Sequence, residues 1–217
     1  MDEGDFVAHL LAGLGSFPDY FRLLPSLNQH GLPLHDTVPA LTPLTLSDVD
    51  RLTAEGAAVV DARRIGAFAT GHIPGSISIE LRPVFASWLG WLADLDQPLV
   101  FVLDDDQDET DLVRQALTVG HDELAGRLAG GVDTWAAAGR PIATVPLVDA
   151  SGIHGTLLDI RQDNEWATGH IPGAVNLPVA GTTAPGTGRF LDGAELRELL
   201  SAAGVSRARR IVCYDGT

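Results

Sequence analysis

Apolar residues along the chain alternate between two spacings. After Leu44, the stretch TLSDVDRLTAEG carries helical spacing, with Ser47 expected as the N-cap. AAVVDAR then reads as a short buried strand, SISIEL alternates apolar and polar, and PVFASWLGWLADL is helical again. PLVFVL is an unbroken apolar run bounded by Pro98 and Asp104, the mark of a strand buried on both faces. A helix from about Thr110 to Val119, a weak strand near Leu124 to Leu128 and GGVDTWAAAGRPI follow. Strands alternating with helices predict an α/β unit with a parallel sheet covered on both sides.

The same order restarts at Gly155 with TLLDIR, GHIPGAVNLPV, the glycine-rich AGTTAPGTGRF, helix GAELRELLSAAG and strand RIVCYDG. The copies of GHIPG begin at Gly71 and Gly169, 98 positions apart. Without a gap, VVDARRIGAFATGHIPG aligns on LLDIRQDNEWATGHIPG with nine of seventeen positions identical. That period is the size of a small domain and too long for a solenoid, so a folding unit is duplicated. We expect a complete first unit at 44–146 and an incomplete second at 147–217, lacking a helix, a strand and a closing helix of the first. Residues 1–43 have a helical apolar pattern too short for a core of its own, and form an arm or the tail of a missing upstream domain.

Composition narrows the function. The 217 residues are 45% hydrophobic and 20% charged, an ordinary globular mixture. Asp+Glu number 29 against 14 Lys+Arg, a net charge of -15 that disfavours nucleic acid or an anionic membrane as partner. No apolar run reaches the ~20 residues of a membrane span and the N-terminus is acidic, so a cytoplasmic location is expected. Cys213 is the only cysteine, which excludes internal disulfides and leaves a core thiol or a reactive one. No further Cys or His stands at ligand spacing, so neither metal nor cofactor is expected.

The pattern Asp159-x-Arg161-x-x-x-Glu165-Trp166-x-x-Gly169-His170-Ile171-Pro172-Gly173 resembles the signature of the rhodanese, or sulfurtransferase, family. Asp61, Arg63 and His72 repeat it in the first unit, and Gly130-Gly131-Val132-Asp133-x-Trp135 with Gly139 and Pro141 resembles the end of the same domain. The resemblance implies tandem domains with parallel five-stranded sheets flanked by helices. In both motifs the Asp and Arg are expected to fix the following loop, with His72 and His170 as packed, hydrogen-bonded loop residues and Pro-Gly as a turn. PDYF at 18–21 and LNQHG at 27–31 are similar to the tail joining a metallo-β-lactamase-fold domain to rhodanese repeats in fusion proteins of sulfane-sulfur oxidation. This implies such a domain as an upstream partner; its HxHxDH metal motif is absent here.

Active members carry a cysteine after the fourth strand, where loop amides and a helix N-terminus lower its pKa. In the first unit PLVFVL delivers Asp104 to that place, and DDDQDETD puts six acids in eight positions, a loop that would repel an anionic sulfur donor. RIVCYDGT allows two registers, with either Asp215 or Cys213 at the nucleophile position. The Cys213 register would bury Arg209 and Arg210 in a covered sheet, which favours Asp215 in the loop and Cys213 as a core thiol. Asp104, at a strand end, should border whatever pocket exists. The sequence therefore points to a non-catalytic or regulatory rhodanese-like module of sulfane-sulfur metabolism; the alternative is a thiosulfate or persulfide sulfurtransferase using Cys213.

Overall fold

The computed structural model describes residues 2, 4–5, 20–21, 25–26, 29, 37–182, 191, 193–206 and 208–214. The first unit is built from β1 (Pro43–Leu44), α1 (Leu46–Ala54), β2 (Ala58–Asp61), α2 (Ile65–Thr70), β3 (Ile77–Ser78), α3 (Phe85–Leu92), β4 (Leu99–Val102), α4 (Glu109–Thr118), β5 (Leu124–Leu128) and α5 (Gly131–Ala137). Its five strands are all parallel, in the order β1-β5-β4-β2-β3.

Every residue of β4 is buried, as the unbroken apolar run predicts. Side chains of successive strand residues point to opposite faces, and two cores result. Val60, Leu99 and Phe101 join Phe85, Leu89, Leu112 and Val113 on one side. Val59, Val100 and Val102 join Val49, Leu128, Val132 and Trp135 on the other. Each such side chain is stabilising by about 1.5–3 kcal/mol relative to exposure, so this sheet is the rigid part on which the loops rest.

The N-cap of α1 is Thr45, not Ser47. Its side-chain oxygen accepts from Asp48 N at 3.2 Å, while Asp48 Oδ2 accepts from Thr45 N at 3.0 Å, a reciprocal capping box two residues earlier than expected. Leu41 is buried in the first core and its N–H donates to Glu109 at 2.8 Å, so the chain enters the unit before β1. Gly126 permits the β1 pairing: its φ is +144°, and a Cβ there would lie 2.3 Å from Thr42 O.

The second unit contains β6 (Thr156–Asp159), α6 (Asp163–Thr168), β7 (Val175–Asn176), α7 (Gly193–Ala202) and β8 (Ile211–Tyr214). Among the described residues its sheet has three parallel strands, β7-β6-β8. β6, α6 and β7 fall where the 98-residue offset places them from β2, α2 and β3. Among the described residues, no helix is long and apolar enough to cross a membrane.

Candidate functional site

Both copies of the repeated motif form the same clamp. Asp61 ends β2, and Arg63 folds back onto it: Nε and Nη2 donate to the two carboxylate oxygens at 2.9 and 2.7 Å, and the Arg63 N–H donates to Oδ1 at 3.1 Å. Nη2 also donates to Gly71 O at 2.7 Å, which ties the strand end to the GHIPG turn. His72 Nδ1 lies 2.9 Å from Phe68 O and its ring stacks on Phe68 at 3.8 Å. In the second unit, Arg161 grips Asp159 at 3.0 and 2.6 Å and Gly169 O at 2.9 Å. His170 Nδ1 lies 3.2 Å from Trp166 O, its ring stacked on Trp166 at 3.4 Å. The Arg161 hydrogen bonds hold the Asp159 carboxyl at about 2. Glu165 caps α6, accepting from Gln162 N at 3.1 Å.

In the first unit Gln107 spans the ends of two neighbouring strands. Its carboxamide donates through Nε2 to Ala62 O at 2.7 Å and accepts through Oε1 from Asp104 N at 2.9 Å, bridging the exits of β2 and β4. Gln107 N donates to Asp104 O at 3.1 Å and completes a turn. The acids around it have local tasks. Asp106 pairs with Arg64 at 3.0 Å, and Asp108 caps α4 by accepting from Thr110 N and Asp111 N. Glu109 pairs with Arg127 at 2.7 Å, and Asp111 accepts from Gln115 at 2.9 Å. Among the described residues, no group of His, Cys, Asp and Glu could hold a metal ion.

A cleft of about 460 Å³ does open in the first unit, lined by Val49, Thr53, Ile73, Pro74, Trp135 and Pro141 among others. Asp104 is not one of its walls, contrary to expectation. The cleft also takes in Ala57, Ala58 and Gln97, before and at the starts of β2 and β4, while the Gln107 carboxamide bridges their exits.

In the second unit Cys213 lies within β8, paired in register with Leu158. The expectation of a core thiol needs correction: the residue is in the strand but exposed. Enough protein still lies against its sulfur for burial to push the thiol's pKa up. Tyr214 pairs with Asp159, and its hydroxyl accepts from Ile171 N at 3.2 Å, while the Arg161 guanidinium lies 5.4 Å from the centre of its ring. Val102 pairs with Asp61 as Tyr214 pairs with Asp159. Asp215 itself lies outside the described residues. So do most of PDYF and LNQHG, apart from Tyr20, Phe21 and Gln29.

Sequence reasoning gave no role to Gln107, to the Tyr214 hydroxyl or to a strap at 141–145. The strap's Ala143 exchanges backbone hydrogen bonds with His72 at 3.0 and 2.9 Å, and Pro141 O accepts from Trp135 Nε1 at 2.9 Å. The one available signal was compositional: Gln107 is the lone carboxamide in an acidic run.

Two parallel α/β units, each with an aspartate-arginine clamp and a GHIPG turn beside its strand ends, define the class. The profile of the rhodanese-like domain matches residues 45–138 and again 146–217, and the chain belongs to that family. No curated protein matches it. Solved structures similar to it include the Alr3790 protein from Anabaena sp., at 16% identity and a TM-score of 0.41, covering 47% of this chain and 82% of that one. A metallo-beta-lactamase from Staphylococcus aureus is similar at 23% identity and a TM-score of 0.45, over 59% of this chain and 35% of that one. EanB is similar at 15% identity and a TM-score of 0.43, over 83% and 50%.

Proposed function

We propose that this chain is a non-catalytic or regulatory rhodanese-like module of a sulfane-sulfur metabolism protein, working in the cytoplasm beside an upstream metallo-β-lactamase-fold domain. The partner assignment rests on the short PDYF and LNQHG resemblance. The observation that carries the non-catalytic reading is the Gln107 bridge. A persulfide loop needs a thiol at the strand exit and free amides to stabilise thiolate charge. Here Asp104 stands in that loop, its amide is committed to Gln107, and carboxylates surround it.

The exposure of Cys213 favours a second reading, sulfur transfer through that thiol. Its raised pKa opposes this, because the thiolate is the nucleophile. Incubation with thiosulfate followed by intact-protein mass spectrometry separates the two. The expected result is no added sulfur on Cys213 and no thiocyanate on addition of cyanide. A one-sulfur adduct abolished by Cys213→Ser would replace the first reading with the second.

A further inference from the structure

One helix of the first unit meets water without a charge. α3 reads FASWLGWL, whereas α1, α4 and α5 each turn a charged residue outward, at Arg51, Arg114 and Asp133. Phe85 and Leu89 of α3 face the first core and are fully buried. On a second face Val84, at the N-cap, is followed by Trp88 and Trp91 at i+4 and i+7, a further apolar stripe. Val84 is 42% exposed and Trp88 38%, and Trp91 is half-buried. A helix apolar on more than its core side belongs in an interior, and an exposed stripe that carries tryptophan marks a surface made to be covered.

The chain's own N-terminal arm already touches this helix on another flank. Gly90 is buried, and a Cβ on it would run into the ring of Tyr20, so the missing side chain is what admits that ring. Tyr20 and Val38 pack against the first core, and Leu41 is part of it. The arm is thus fastened to the side of the sheet that α3 covers, and the chain ahead of Tyr20 departs from beside α3.

From this we infer that the stripe of Val84, Trp88 and Trp91 is the docking face for the upstream domain, which meets it with an apolar patch of its own. The inference rests on the upstream domain of the proposed function and adds where that domain sits. Tethering argues for this occupant. A domain joined through an arm pinned at Gly90 is held beside the stripe at an effective concentration of about millimolar, so a small patch suffices where a free partner needs a full interface. Charge argues against a second copy of the chain, because two molecules with a net charge of -15 repel each other.

Hydroxyl-radical footprinting of the gene product that carries the upstream domain, set against the 217-residue chain, tests this. Oxidation of Trp88 should be severalfold slower in the longer protein, with Trp166 of the second unit unchanged. Val84→Asp should undo that protection. Aspartate is a favoured N-cap residue and Val84 occupies the N-cap of α3, so the same change leaves the helix folded in the 217-residue chain, with amide exchange at Leu89 as the check. Equal oxidation of Trp88 in the two proteins, or protection that survives Val84→Asp, overturns the inference alone. Absence of a metallo-β-lactamase-fold domain from the gene product overturns the proposed partner, and the inference with it. Protection of Trp88 that grows with the concentration of the 217-residue chain by itself assigns the stripe to a second copy and overturns the inference too.

Discussion

Ile73 and Ile171 occupy the same step of the same turn, yet the first is 4% exposed and the second 39%. The hydrogen bonds that shape the turn are nearly identical: aspartate to arginine, arginine to glycine carbonyl, histidine to the helix carbonyl four residues back. Local chemistry thus makes the turn, and burial is a separate matter decided by what lies over it.

The sharpest test of this contrast uses the central strands. Phe101 pairs with Val60 as Cys213 pairs with Leu158, and these are equivalent register steps. Phe101 is fully buried and Cys213 is exposed. Phe101→Ala should cost about 3–5 kcal/mol, and Cys213→Ala about 0.5 kcal/mol or less, measured by residue-resolved denaturant titration. Comparable losses would erase the distinction between the two sheets.

Acid should separate the units next. His121 is buried in the first unit, in loose contact with the Leu89 backbone and with neither ring nitrogen well partnered. Burial holds its pKa at about 4, below the ordinary 6.5. Between those values the unfolded chain binds a proton that the folded unit refuses, so stability is fully present above pH 6.5 and drains away as pH falls toward 4. The loss amounts to about 3 kcal/mol. Asp159 in the second unit titrates at about 2 instead of 3.8, so its contribution is present above pH 3.8 and disappears as pH falls through 2. Lowering pH from 7 to 5 should therefore weaken amide protection in β4 and leave β6 little changed, and His121→Leu should flatten the β4 response. An equal response of both strands would count against this assignment.

The smallest effect belongs to the strap. Arg140→Ala removes a solvent-screened surface ion pair with Asp50 and a stack on Trp135, so only a small loss of stability is expected. Faster amide exchange at His72, with no change at His170, is the signature to look for.

The strand and helix order was legible because burial imposes a period on the sequence: PLVFVL became β4, and the 98-residue offset carried α2 and β3 onto α6 and β7. The clamp residues were legible because each acts within ten positions of its partner. Thr45 was misjudged for Ser47 because both are capping types, and only the reach to Asp48 decides between them. Gln107 and the strap escaped because their partners lie 45 and about 70 positions away, separations on which hydrophobic period carries no information. The exposure of Cys213 escaped for a related reason: a strand pattern states which residues alternate, not what stacks above them.

Gln107 has one more consequence, for anyone who would re-engineer this loop. Its carboxamide offers a donor to one strand end and an acceptor to the other, and so behaves as a ligand that the protein carries on its own backbone. A cysteine grafted at position 104 would inherit an occupied cradle, its amide already spoken for and its neighbours negatively charged. Building a reactive sulfur here is first an exercise in eviction: the tenant at 107 has to leave before a new one can take up the address.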